Sequence, residues 1–210
     1  MDKKRTIKNI IFDMGGVLFD LNAKRCVDAF EAIGAKKTAV YVREFRTEDL
    51  FHVIETGDGT TEYFCREVRK MDGINASDEE IIAAWNELLE PTPSKKRDEL
   101  ARLKKEGYRL FLLSNTNDMH WQRAKKLITN SEHDINEFFE RIFLSYEMGV
   151  RKPYKEIFLQ VVSDAGIRPE ESIFVDDNAS NIAAAAKLGI RTFHETDGNR
   201  WVEKLRKEIA

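Results

Sequence analysis

Cysteine is nearly absent from this chain: Cys26 and Cys65 are the two it has, far apart and in no Cys-x-x-Cys or other metal-ligand spacing. That leaves no basis for a cysteine-held metal site and leads us to expect reduced thiols in a cytoplasmic protein. A dominant charge is missing too. Lys+Arg at 34 nearly balances Asp+Glu at 37 without a sustained block of one sign, so the chain lacks the electrostatic footprint of a nucleic-acid binder. Long apolar runs are also lacking, which excludes a membrane-spanning helix. The basic start Met1-Asp-Lys-Lys-Arg resembles the opening of a secretion signal, but its apolar run is only Ile10-Ile11-Phe12 before Asp13 interrupts, so no signal peptide is expected. Internal repeats and low-complexity segments are likewise missing. The expected ligand is therefore small.

What is present fits one sizeable core with a smaller appended module, and nothing in 210 residues demands more than a monomer. Five short β-rich runs punctuate the chain: Asn9–Phe12, Tyr108–Leu113, Ile142–Leu144, Ser172–Val175 and Ile190–Phe193. Apart from the Ile142 run they are largely apolar rather than alternating, as strands covered on both faces are. Helical patterns lie between the later ones. Leu100 and Leu103 share a face before Gly107, and Ile157, Phe158, Val161, Val162 and Ala165 share one before Gly166, each glycine a good helix stop. From about residue 94 onward the order strand, helix, strand predicts an α/β fold with a doubly wound parallel sheet.

Residues 21–92 break that rhythm. Phe64, Val68 and Met71 form one apolar stripe, and Ile81, Trp85 and Leu88 another, entered through a Ser77…Glu80 capping box. We read a helical cap inserted after the first strand, leaving residues 1–20 and 93–210 as the catalytic core. Pro91-Thr-Pro93 disfavours continued helix and marks the exit.

Four segments sit at or just after the C-terminal ends of the proposed strands, where open α/β sheets build their sites. They are Asp13-Met14-Gly15, Ser114-Asn115-Thr116, Arg151-Lys152-Pro153 and Asp176-Asp177. A carboxylate, hydroxyl and amide donors, a fixed cation and an acidic pair are the parts of a metal-assisted phosphoryl-transfer site. Each segment alone has an ordinary explanation: a strand-ending turn with Gly15 and Gly16 at positive φ, helix caps at Ser114-Asn115-Thr116 and Asp177-Asn178, a solvated lysine at a helix entry. Their joint occurrence in this order argues for a site.

In FDMGGVLFD, LSNTND, RKP and FVDDNASNI, taken in order, the chain resembles the haloacid dehalogenase superfamily. It looks most like the sugar-phosphatase-like branch, and within it the bacterial α-glucose-1-phosphatases. The resemblance covers essentially the whole chain. It implies a Mg²⁺-dependent phosphomonoester hydrolase working through an aspartyl-phosphate on a small phosphorylated metabolite. It makes Asp13 the nucleophile, Ser114 and Asn115 the phosphate-binding donors, and Lys152 the cation that offsets charge on phosphate and nucleophile. Asp13, the Gly15 carbonyl, Asp176 and Asp177 become the metal site, with Asp177 a direct ligand and Asp176 an outer partner.

Many relatives carry Asp at the position of Gly15, where it protonates the leaving oxygen. General acid–base help of this kind contributes about 10²–10⁴-fold. Its absence predicts substrates with good leaving groups, such as sugar 1-phosphates or acyl phosphates. Two alternatives stand beside the phosphatase. A 2-haloacid dehalogenase has less use for Asp176-Asp177, and a non-catalytic phosphate-binding module has no need of Asp13. Asp20 could supply the missing acid but reads rather as a cap or hinge residue, and Arg151 as either a solvated residue or one that supports the site from just outside it. His52 and Glu55 lie beside a Gly57…Gly59 loop expected to dip toward substrate, and His120 and Trp121 either touch substrate or cover the sheet.

Overall fold

The computed structural model describes residues 7–44, 46, 50–129 and 134–209. The basic start at Met1–Arg5, residues 45 and 47–49 of the expected cap, and residues 130–133 and 210 of the expected core lie outside the described residues. Five strands, β1 (Asn9–Phe12), β2 (Arg109–Ser114), β3 (Arg141–Leu144), β4 (Ser172–Asp176) and β5 (Arg191–His194), form one sheet in the order β3-β2-β1-β4-β5. Every pairing is parallel. The expected strands are all found, within a residue or so. The shift matters at two of them. Ser114 pairs with Leu144 and Asp176 with His194, so both site residues are the last rungs of strands rather than loop residues.

Alternation along the strands builds two apolar layers. Ile10, Phe12, Leu110, Leu112, Ile173 and Val175 face one way, where α12 (Arg200–Ile209) adds Trp201 and α7 (Asp118–Ile128) adds Trp121. Ile11, Phe111, Leu113 and Phe174 face the other, covered by α10 (Lys155–Ala165) and α11 (Ala179–Lys187). Helix α6 (Ser94–Lys105) buries Leu100 and Leu103 and ends before Gly107 at φ 95°. Two single-turn helices, α8 (Ile135–Phe138) and α9 (Ser145–Met148), flank β3.

Between β1 and α6 lie α1 (Ala23–Ala32), α2 (Lys36–Arg43), α3 (Leu50–Glu55), α4 (Thr61–Asp72) and α5 (Asp78–Asn86). They surround a third apolar cluster of their own, which includes Phe30, Phe51, Phe64 and Trp85 and takes in one residue from the sheet side, Met119. Ser77 and Glu80 form the full capping box at the start of α5. Helix α5 stops at Asn86, so Leu88 follows the helix instead of belonging to its stripe. Among the described residues no helix is long and apolar enough to cross a membrane.

Candidate active site

Strand β1 ends in a tight loop that holds one carboxylate, Asp13, buried among apolar neighbours. Asp13 N–H still donates to the Val175 carbonyl at 2.8 Å, and then the Met14 carbonyl accepts from both Leu18 and Phe19 N–H. Gly16 makes that turn possible. Its φ is +71°, and a β-carbon there would stand 2.4 Å from Asp177 Oδ2, so no other residue fits beside that carboxylate. Gly15 does not share this constraint. It is outside the positive-φ region, contrary to the turn reading that gave both glycines positive φ, and a β-carbon on it would meet Leu21 Cδ1 at 3.3 Å.

Lys152 is 1% exposed and ties three strands together. Its ammonium donates to Asp13 Oδ1 at 2.8 Å, to Asp176 Oδ2 at 2.8 Å and to the Leu113 carbonyl at 3.0 Å, which uses all three of its hydrogens. Burial opposes its charge, but Asp13 and Asp176 outweigh burial and hold the ammonium above its ordinary range. The lysine's backbone is fixed as firmly. Asn115 Oδ1 accepts from Lys152 N–H at 2.8 Å while Asn115 Nδ2 donates to the Lys152 carbonyl at 2.9 Å. The Asn115 side chain is therefore engaged with the lysine loop and retains one amide hydrogen for a ligand. Ser114 is buried, and its hydroxyl has only a long 3.4 Å contact to the Asn115 carbonyl. Neither Ser114, Asn115 nor Thr116 caps a helix; Asn117 caps α7 and Asn178 caps α11.

Carboxylate oxygens of Asp13, Asp176 and Asp177 lie within 4.8 Å of one another. Three carboxylates face one ammonium, an imbalance that a divalent cation would cancel. The strain of that imbalance registers at Asp13: burial pushes its carboxyl up to about 7, Lys152 opposes the rise, and Asp176 and Asp177 add to it. Asp177 is also raised, by burial and then by Asp176. An all-oxygen, acidic, partly buried donor set of this kind suits a hard cation such as Mg²⁺. The two adjacent aspartates differ in what they have left to offer. Asp176 is fully buried and accepts from Lys152, from Asn178 N–H at 2.7 Å and from Asn181 Nδ2 at 3.1 Å on each oxygen. The Asp177 carboxylate takes no hydrogen bond from any described side chain, while its backbone carbonyl accepts from His194 Nε2 at 2.9 Å.

Other residues take places that the sequence left undecided. Asn181, one turn into α11 and within the FVDDNASNI stretch, had no role assigned to it and is buried against Asp176. Of the two readings of Arg151, the solvated one is excluded: it is 14% exposed and reaches across to α3, where its Nη1 is 3.1 Å from Glu55 Oε2 and 3.3 Å from His52 Nδ1. Burial raises the Glu55 carboxyl, with Arg151 and Lys152 opposing. Asp20 is not a helix cap, since Asn22 caps α1; its carboxylate accepts from Lys96, a lysine with no exposed surface, at 2.9 Å, and its carbonyl accepts from Glu90 N–H at 3.0 Å. His120 is buried, stacks on Trp85 at 4.3 Å and donates from Nε2 to the Trp85 carbonyl, and burial pushes its pKa down to about 4. It joins α7 to α5 as a neutral packing residue, while Trp121 covers the sheet.

The model of the haloacid dehalogenase-like hydrolases matches residues 7–189. D-ribitol-5-phosphate phosphatase of Bacteroides thetaiotaomicron is 31% identical over 201 residues, 95% of this chain and 97% of that one. A haloacid dehalogenase family enzyme of the same organism, solved in complex with magnesium and inorganic phosphate, superposes with a TM-score of 0.87 at 40% identity, covering 93% of this chain and 97% of its own. A predicted hydrolase of the same type from Porphyromonas gingivalis gives 0.88 at 33% identity, with 97% and 98% covered. By family match, by extended relatives and by fold, this chain belongs to the haloacid dehalogenase-like hydrolases.

Proposed function

We propose that the chain is a Mg²⁺-dependent phosphomonoester hydrolase that forms an aspartyl-phosphate on Asp13 and acts on a small polyhydroxylated phosphate ester. One observation carries the reading: a buried ammonium clamped between Asp13 and Asp176, with the adjacent Asp177 carboxylate left open toward the same point. In this reading residues 1–20 and 93–210 are the catalytic core, and residues 21–92 are the cap that closes over the substrate. The relatives support it, one named as a phosphatase of ribitol 5-phosphate and one solved with magnesium and phosphate.

Asp13 Oδ1 is held by Lys152, which orients the carboxylate and leaves Oδ2 to attack phosphorus. A P–O bond forms to Asp13 as the P–O bond to the leaving group breaks, and water then attacks the aspartyl-phosphate, releasing inorganic phosphate and restoring Asp13. Ser114 hydroxyl and the free Asn115 amide hydrogen donate to the phosphoryl oxygens. Lys152 lowers the charge repulsion between nucleophile and phosphate through space, because its hydrogens are already committed. Asp13, Asp177 and the Gly15 carbonyl would hold the cation, and Asp176, saturated by Lys152, Asn178 and Asn181, would act as their outer partner. When bound, the cation supplies positive charge that offsets phosphate and carboxylate together.

The acidic pair and the cation it calls for set this reading above a haloacid dehalogenase, which works without Mg²⁺. With no side chain at position 15 to protonate the leaving oxygen, sugar 1-phosphates and aryl phosphates should turn over faster than ribitol 5-phosphate. Phosphate release from p-nitrophenyl phosphate and a sugar-phosphate panel, with Mg²⁺ or EDTA, tests all of this in wild type and Asp13→Asn. Mg²⁺-dependent release that disappears in the variant is expected. Release that survives in Asp13→Asn, or halide release from haloacids instead, would overturn the proposal.

A further inference from the structure

We infer that Glu55 determines substrate specificity by accepting, through Oε2, a hydrogen bond from a hydroxyl of the leaving group; this rests on the phosphatase reading of the site. Glu55 ends α3 and reaches across to Arg151, the residue before Lys152. Its Oε2 is sealed from solvent and, although 3.1 Å from Arg151 Nη1, has no aligned hydrogen-bond donor among the described residues. A buried carboxylate oxygen left in that condition is costly, and such groups concentrate where a ligand completes them.

The pair is not needed to hold the catalytic lysine. Asn115 fixes both backbone groups of Lys152, and Asp13, Asp176 and the Leu113 carbonyl fix its ammonium. Nor does it favour stability, since a buried ion pair does no better than apolar residues of similar volume. The chemistry of the occupant follows from the charges around it. A carboxylate repels the phosphoryl group, so the partner must be a donor. Arg151 beside it repels an ammonium, so that donor must be neutral. A hydroxyl of the leaving group meets both conditions, and it reaches Oε2 when substrate enters between cap and core and the two close again. His52, whose Nδ1 accepts from Arg151, keeps the guanidinium in place.

The test uses competition against p-nitrophenyl phosphate turnover in Mg²⁺, with ribitol 5-phosphate and pentyl phosphate as competitors of equal chain length. Inhibition constants are measured for wild type and Glu55→Gln, and thermal melting confirms that both are folded. Wild type should bind the polyol phosphate more tightly, and Glu55→Gln should weaken it by about 10-fold, the usual effect of losing a hydrogen bond to a charged group, while pentyl phosphate changes by less than about 2-fold. Equal weakening of both competitors would make Glu55 a structural support and overturn the inference. So would an unchanged polyol constant, or a wild type that does not distinguish the two. A wild type that releases no p-nitrophenol would strike the phosphatase reading itself, and this inference with it.

Discussion

Replacing Asp13 by Asn should make the metal-free protein more stable while removing its chemistry. The Asp13 carboxyl is held up to about 7 from an ordinary 3.8, chiefly by burial, with Lys152 opposing and Asp176 and Asp177 adding. A carboxyl raised in the folded state binds its proton more tightly there than in the unfolded chain. The folded state is therefore favoured at low pH, and stability falls as pH rises from the unfolded value through the folded one. A shift of about three units, at 1.36 kcal/mol each, amounts to roughly 4 kcal/mol of destabilisation at pH 8. At pH 5 less than half of the deficit remains, and it fades as pH approaches the unfolded value of 3.8. Asparagine has the same shape and does not titrate, so the variant should escape the loss. At roughly 2–4 °C per kcal/mol for a chain this size, it should melt roughly ten degrees above wild type at pH 8 in EDTA. Thermal unfolding followed at pH 8 and pH 5 in EDTA checks this. A variant that melts at or below wild type at pH 8, or a gap that does not narrow at pH 5, would refute the electrostatic account.

Mg²⁺ should reverse the same deficit: at a hundredfold excess over its dissociation constant it should stabilise wild type by about 2.7 kcal/mol, and Asp13→Asn by much less, as read from the melting shift. Asn181→Ala removes both amide contacts to Asp176 and should weaken Mg²⁺ binding by about 10–100-fold, measured by calorimetry; unchanged affinity would deny Asp176 its orienting role. Gly15→Asp combined with Leu21→Ala, which clears the 3.3 Å contact, should raise turnover of ribitol 5-phosphate relative to p-nitrophenyl phosphate by at least about 10²-fold; an unchanged ratio would show that leaving-group protonation does not limit this enzyme.

The parts of this structure legible in the sequence are those governed by local pattern. Apolar runs gave the strands, because a parallel strand must be buried on both faces, and Gly107 and Gly166 marked true helix stops. The acidic pair and the lysine stood out because such residues at strand ends are unusual. What escaped was set by contacts between distant segments. Nothing near Asn115 announces that its amide grips the backbone of Lys152, and nothing near Asp20 announces a buried Lys96. The sequence left Arg151 undecided between solvent and a supporting role because its partner Glu55 lies almost a hundred residues away, on α3. The difference between Asp176 and Asp177 came from the resemblance alone, because local pattern does not rank two adjacent aspartates and only the fold brings Asn181 to Asp176.

Gly15 and Glu55 acquire meaning together. A site without a leaving-group acid cannot lower the barrier by proton transfer at the departing oxygen, so it must recover rate from positioning. Interactions with non-reacting parts of the substrate serve that purpose when they fix the phosphorus in line with the attacking oxygen. Asp13 is already immobilised by a lysine with no freedom left, which places the burden of alignment on the substrate. The α3 carboxylate Glu55, paired with Arg151 next to that lysine in the chain, would supply the alignment by engaging a hydroxyl on the leaving group. On this view the enzyme selects its substrate by the hydroxyls the leaving group carries and by how readily it departs unaided, and these two criteria converge on sugar phosphates.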